Sequence, residues 1–220
     1  MELDYQKCIT FWDEVFSKED SGVPNAAASG NDVLDEAIKW LCSGSNRVLD
    51  FGCGSGAMLF LCAHNGTRDH VGIDLSQKAI HCAVQKAEHM AIGDFQFEQG
   101  GVESLFSYPD ASFDAVILSN IVDNLFPEDA LLLLSESARV LKKGGKALVK
   151  LNPYLAQEQI AACDIKTISG NLLDDGLLLW NNTTEEWRVL FTPYFTTYRE
   201  AEIYYPEHEQ TNRLFYLVKV

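Results

Sequence analysis

An open α/β fold, with strands and helices alternating around a largely parallel sheet, is predicted by three observations. The apolar run Val48-Leu49 ends in Asp50, glycines follow at alternate positions (Gly52, Gly54, Gly56), and a helical run opens at Ala57. Strand, glycine turn, helix is the order by which such folds build a nucleotide site at the carboxyl ends of their strands. A second strand, His70 to Ser76, ends in Asp74, at the roughly 20-residue spacing of a nucleotide-binding βαβ unit. A third unit begins at Pro127 and runs through a helix into the strand Lys146–Leu151.

The elements follow in order. Tyr5, Phe11, Trp12 and Phe16 lie at near-helical spacing, which predicts an amphipathic helix packed on the domain. Tyr5 and Trp12 are also candidates to line a site, because aromatic faces attract a cation. Residues 21–30, rich in Gly, Ser, Pro and Asn, read as a hinge. The first core helix is expected over Asp32–Leu41, with Val33, Leu34, Ala37, Ile38 and Leu41 inward. Ser76 is the expected N-cap of a helix carrying Ala79, Ile80, Ala83, Val84 and Ala87. Phe95–Glu98 and Ser112–Asn120 read as the third and fourth strands. Pro127 suits the first helical turn, as do Glu128 and Asp129; Lys142 and Lys143 are expected to close the last turn, with Gly144 as its left-handed cap.

Glycine spacing bears on the ligand. A dinucleotide site uses G-x-G-x-x-G, whereas this loop has Gly52-x-Gly54-x-Gly56 with Asp50 before it. An acid beside the loop repels a pyrophosphate and suits a cofactor with a cationic amino-acid group. Taken alone, the loop also fits a simple tight turn or another nucleotide enzyme.

Asp50 through Gly56 resembles motif I of the class I S-adenosylmethionine (SAM) methyltransferases. Ser112–Asn120 is similar to the family's motif IV, and Glu136–Gly145 to the helix and turn before its fifth strand. The resemblance implies a three-layer Rossmann-like sandwich. Its mostly parallel seven-stranded sheet would have the order 3-2-1-4-5-7-6 with an antiparallel edge strand. It implies S-adenosylmethionine as cofactor and S-adenosylhomocysteine (SAH) as product, held by Asp50, Gly52, Cys53, Gly54, Gly56, Asp74, Leu75, Val102, Glu103 and Asn120. Asp74 would accept both ribose hydroxyls, and Asn120 would meet the methionine end. Residues 1–30 would form a lid or cap segment, 31–220 the methyltransferase domain, and 153–182 a substrate-cap insert.

Two departures stand out. Gly101 occupies the position of the acid that usually meets the adenine amine, leaving Val102 and Glu103 to that task. Asp123 and Asn124 stand where one or two histidines often follow motif IV, which makes Asp123 the candidate general base. Asn152-Pro153-Tyr154 lacks the second proline of the N-P-P-Y motif and follows the fifth strand rather than the fourth. It reads as a proline-terminated strand, with Tyr154 a candidate for the substrate space.

Further along, the Asp175-Gly176 turn between apolar runs predicts a hairpin over Leu172–Trp180. Thr183-x-x-Glu186 is a capping-box pattern opening a helix. Phe195–Tyr205 and Arg213–Val220 read as the last two strands.

Composition narrows the function. The net charge is −15, with no basic stripe, which argues against direct binding of nucleic acid. No apolar run reaches membrane-spanning length, and Met1–Asp4 lacks the character of a signal peptide. Six cysteines without a C-x-x-C pair read as reduced cytoplasmic thiols and suggest no metal site. The expected reaction is methyl transfer to an O, N or C atom of a small molecule. Protein or RNA methylation, a non-catalytic SAM-binding regulator, and a nicotinamide or flavin enzyme are the alternatives.

Overall fold

The computed structural model describes residues 5–19, 22, 27–206 and 209–220. Half of the expected hinge over 21–30 lies outside them. Helix α1 (Gln6–Phe16) comes first, followed by α2 (Asp32–Cys42), whose N-cap Asn31 accepts from the Val33 and Leu34 amides. The parallel part of the fold alternates β1 (Arg47–Phe51), α3 (Ala57–His64), β2 (Asp69–Asp74), α4 (Gln77–Ala87), β3 (Asp94–Gln99), β4 (Phe113–Ser119), α5 (Pro127–Val140) and β5 (Leu141–Leu151). Ser76 caps α4 as expected, its side chain accepting from the Ala79 amide.

After β5 come α6 (Gln157–Ala162) and three short strands, β6 (Lys166–Ser169), β7 (Leu172–Asp174) and β8 (Leu178–Trp180). These strands form a separate antiparallel sheet, with β7 and β8 the expected hairpin. Helix α7 (Thr184–Phe191) opens on the expected capping box: Thr183 accepts from the Glu186 amide, and the Glu186 carboxylate accepts from the Thr183 amide. β9 (Phe195–Tyr205) and β10 (Gln210–Lys219) complete a seven-stranded sheet of order β3-β2-β1-β4-β5-β10-β9. Its first five strands are parallel, and β10 is antiparallel to both neighbours. Counting only this sheet's strands, the order is the anticipated 3-2-1-4-5-7-6.

Alternation along the strands builds a core on each face, because successive side chains point to opposite sides. Val48 joins Ala115, Ile117 and Leu148 beneath α2 and α3, while Leu49 joins Val71, Val116 and Val149 against α5 and α7. Helices on both faces make the three layers.

One helix boundary differs from expectation. Leu141 already has extended backbone (φ −70°, ψ 141°), so Lys142 and Lys143 lie beyond the last turn of α5. The fully buried Leu141 side chain, paired in register with Phe113, draws the chain into the sheet. Arg139 is the basic residue of the last turn, and Lys142 instead meets Asp114 at 2.6 Å. Gly144 does adopt a left-handed conformation (φ +74°), within the β5 segment.

Candidate active site

The chain leaves β1 through a turn that only glycine accommodates easily. Gly52, Gly54 and Gly56 all have positive φ (+75°, +53°, +85°), a region that strains residues bearing a Cβ. A Cβ on Gly52 would lie 2.8 Å from Ile121, and one on Gly54 2.9 Å from the Phe16 ring. The Gly52 and Cys53 amides both donate to Ile73 O at the end of β2 (2.8 and 3.0 Å). This ties the loop to the strand that carries Asp74.

Asp74 closes that arrangement. Its Oδ2 accepts from the Gly54 amide and its Oδ1 from the Ser76 amide, both at 2.8 Å. Burial raises its pKa, and the two amides oppose the rise. The carboxylate therefore braces the glycine loop while facing a cavity of about 440 Å³.

Of the residues expected to bind a cofactor, Gly52, Gly54, Asp74, Leu75, Val102, Glu103 and Asn120 stand on the wall of this cavity. Glu103 folds back so that its Oε1 accepts from the Gly101 amide at 3.1 Å. A carboxylate thus reaches the region where Gly101 supplies none. Asp50, Cys53 and Gly56 are not on the wall. Asp50 is buried behind the loop with Oδ1 unpartnered. Burial, reinforced by Asp74 and opposed by Lys150, raises its pKa to about 8. Cys53 is buried, and desolvation raises its thiol well above the ordinary value. It fills space within the loop. Gly56 is the left-handed N-cap of α3.

Asp123, the expected general base, lies apart from this wall. Its side chain is fully buried and off the cavity wall, with Oδ2 accepting from the Asn152 amide at 2.7 Å. Burial raises its pKa to about 6, against the Asn152 bond and the Arg213 charge. Tyr154 is exposed and likewise off the wall, in the segment that follows the end of β5 at Leu151.

Helix α1 roofs the cavity instead of packing into the core. Tyr5, just before it, and Cys8, Ile9, Trp12 and Phe16 within it line the cavity, at the spacing of one helical face. No residue of the helix is fully buried. Polar contacts hold it down along its length: Tyr5 with Asp129, Lys7 with Asp174, and Asp13 with Ser76. Beyond its end, Glu19 meets Lys86 and Ser55. Leu177, in the turn between β7 and β8, contributes to the same enclosure.

Sequence patterns gave no sign of Phe106, Ile121, Leu132 or Leu177 as wall residues, since apolar residues at those positions look like ordinary core. The charged wall residues are Asp74, Glu103 and Asp129; among the described residues no Lys, Arg or His lines the cavity. No described group of three or more His, Cys, Asp or Glu side chains is placed to hold a metal ion. No described helix is long and apolar enough to cross a membrane.

A glycine cradle braced by the carboxylate of the next strand, on a sheet of this order, defines the class I methyltransferase fold. Residues 49–149 match the family model described as a methyltransferase domain. It is 26% identical over 161 residues to the uncharacterized methyltransferase YcgJ of Bacillus subtilis, covering 73% of this chain and 61% of that one. It is 33% identical over 99 residues to a ubiquinone biosynthesis O-methyltransferase of Paracidovorax citrulli, covering 45% of this chain and 40% of the relative. The chain thus spans less than two thirds of these curated relatives. The solved structure of the N-methyltransferase NodS from Bradyrhizobium japonicum, in complex with SAH, shares the fold with a TM-score of 0.70 at 14% identity, covering 97% of this chain and 99% of NodS. Other relatives are named for ribosomal protein L11 and for tRNA.

Proposed function

We propose that the chain transfers the methyl group of S-adenosylmethionine to an O, N or C atom of a small, predominantly apolar molecule, in the cytoplasm. The observation that carries this is the Asp74 carboxylate, set on the cavity wall at the end of β2 and accepting from the Gly54 amide of the glycine loop.

The residues fit the cofactor. The positive-φ glycines let Ile121 and Phe16 close on the loop where a Cβ would clash, and the unpartnered Asp50 Oδ1 behind them suits an ammonium group. Asp74 would hold the ribose hydroxyls, and Leu75, Val102 and Glu103 the adenine. When bound, the cofactor supplies an already activated methyl group, so the protein's share of the work is orientation and exclusion of water. Helix α1 and the β7–β8 turn provide that enclosure, which supports reading residues 1–30 as a lid on the 31–220 domain and 153–182 as a cap. Asp123 is given no part in proton transfer.

Two features favour a small acceptor that is not anionic. Helix α1 covers the cavity, and its charged wall residues are acidic. The net charge of −15 opposes a nucleic acid.

Calorimetric titration with SAM and SAH, with NAD as control, tests the cofactor. One-to-one binding of the first two that Asp74→Ala abolishes is the expected result, and binding of NAD alone would sink the proposal. Tritium-labelled SAM then tests the acceptor in a fractionated extract. Label in the small-molecule fraction supports this reading; label confined to protein or RNA replaces it with the macromolecular one.

A further inference from the structure

Beyond the cofactor residues, five carboxamide side chains form one continuous chain of hydrogen bonds. Gln210 Nε2 donates to Asn212 Oδ1 (2.9 Å), and Asn212 Nδ2 to Asn120 Oδ1 (3.2 Å). Asn120 Nδ2 donates to Asn152 Oδ1, and Asn152 Nδ2 to Asn124 Oδ1, both at 3.0 Å. Asn124 Nδ2 then donates to Leu178 O at 2.6 Å. Every link has the same sense, from β10 across the ends of β4 and β5 to β8. The segments around 120–124, 152 and 210–212 are far apart in sequence, and the sheet order brings them together.

The middle of the chain is pinned from outside. The Asn152 amide donates to the buried Asp123 carboxylate, and the Asn152 carbonyl accepts from Arg213 Nε at 3.0 Å. Asn120 sits at φ +53° with its amide held by Lys150 O at 2.7 Å, a backbone conformation that persists only where the surroundings enforce it. Asn212 is 1% exposed and the other four carboxamides are half-buried, so the links are partly shielded from water and each hydrogen bond polarises the next.

Two members, Asn120 and Asn124, stand on the cavity wall, and the last link fixes the strand following Leu177. A carboxamide has two donor hydrogens and two acceptor lone pairs, so each wall residue keeps hydrogen-bonding capacity beyond the chain. We propose that Asn212 and Asn152 are positioning residues. They act through Asn120 and Asn124 to set the orientation of an uncharged hydrogen-bonding wall and the placement of the β7–β8 turn above the acceptor. Asp123 and Arg213 serve as the anchor of this chain. That the wall faces an acceptor rests on the methyltransferase reading; the coupling itself does not.

Asn212→Asp replaces the donor to Asn120 with an acceptor, so Asn120 must turn over and the reversal must pass along the chain. Side-chain amide resonances of Asn120, Asn152 and Asn124 are recorded by ¹H–¹⁵N NMR, with and without SAH, alongside hydrogen exchange of backbone amides. The proposal expects the Asn124 side-chain resonance to move although Asn212 does not touch it. It also expects exchange across residues 172–180 to rise about fivefold, the equivalent of one net hydrogen bond, while β1–β3 stay unaltered. A role confined to local structure would leave Asn124 and the hairpin unchanged, and that result overturns the proposal. If Asn212→Asp fails to fold, Gln210→Ala removes only the first link. It is expected to shift Asn120 and Asn124 in diminishing degree, and a shift at neither overturns the proposal. Failure of wild-type protein to bind SAH would count against the methyltransferase reading alone, since the coupling is also measured without ligand.

Discussion

The Tyr5 hydroxyl donates to Asp129 Oδ2 at 2.6 Å and accepts from the Phe126 amide at 3.1 Å, fastening the start of α1 to the start of α5 beside the cavity. Burial, with Asp129 adding to it, raises the tyrosine pKa far above its usual value. The hydroxyl therefore remains a donor throughout the working pH range. Tyr5→Phe removes both bonds while keeping the ring against Phe126. A hydrogen bond to a charged group contributes about 1.5–3 kcal/mol, so SAH release is expected to accelerate about tenfold or more in stopped-flow measurements. An unchanged rate would mean that α1 does not gate the cavity.

Gly54→Ala tests the contact between lid and loop. The residue would sit at φ +53° with its Cβ 2.9 Å from the Phe16 ring. The left-handed conformation alone costs an alanine roughly 1–2 kcal/mol. Cofactor affinity measured by calorimetry is expected to fall about tenfold, and adding Phe16→Leu is expected to restore part of the loss. No recovery in the double variant would show that backbone strain, and not the ring, limits the site.

Asp50 makes stability depend on pH in a definite direction. Its pKa is raised to about 8 by burial and by Asp74, whereas an unfolded-chain aspartate titrates near 3.9. From about pH 4 to about pH 8 the unfolded chain gives up a proton that the folded protein keeps. This group's contribution to stability therefore falls across that window and levels off above it. Asp50→Asn should flatten the slope, so its melting temperature relative to wild type rises from pH 5 to pH 8. A cationic cofactor group bound in the cavity would favour the ionised form of Asp50, so SAM binding at pH 7 should release a proton. Calorimetry in buffers of different ionisation enthalpy reads that release directly.

Glu19 and Lys86 tie the segment after α1 to the back of the glycine loop. Lys86 Nζ donates to Glu19 Oε1 at 2.5 Å and to Ser55 Oγ at 3.2 Å, and the Ser55 hydroxyl donates to the same glutamate oxygen at 2.7 Å. The lysine side chain is 6% exposed and the glutamate 34%. Removing one partner of a fully buried pair costs about 3–5 kcal/mol; with Glu19 one-third exposed, screening brings Glu19→Ala to about 2 kcal/mol. Its melting temperature should drop by about 4–8 °C, and Lys86→Met in the same background should recover most of it. A stable Glu19→Ala protein would show that the ammonium finds water instead.

What the sequence determined by itself was the part built from local chemistry. Alternate glycines after an apolar strand specify a tight turn, and an acid about twenty residues on marks the end of the next strand. Helix caps at Ser76 and Thr183, the Asp-Gly hairpin and the strand order implied by family resemblance were all legible, because each depends on neighbours within a few residues or on an ordered series of motifs.

Tertiary structure decided whatever depends on which surface a pattern meets. The amphipathic face of α1 shows that something apolar lies beneath it, but its spacing does not distinguish a core from a cavity. Asp123 looks like a loop carboxylate in sequence and is buried on Asn152 and Arg213 in the fold. Lys142 and Lys143 resemble a helix end until Leu141 is drawn into the sheet against Phe113. The carboxamide chain joins positions 120, 124, 152, 210 and 212. Lone amides carry no periodic signal, and only the antiparallel placement of β10 beside β5 brings them within hydrogen-bonding distance.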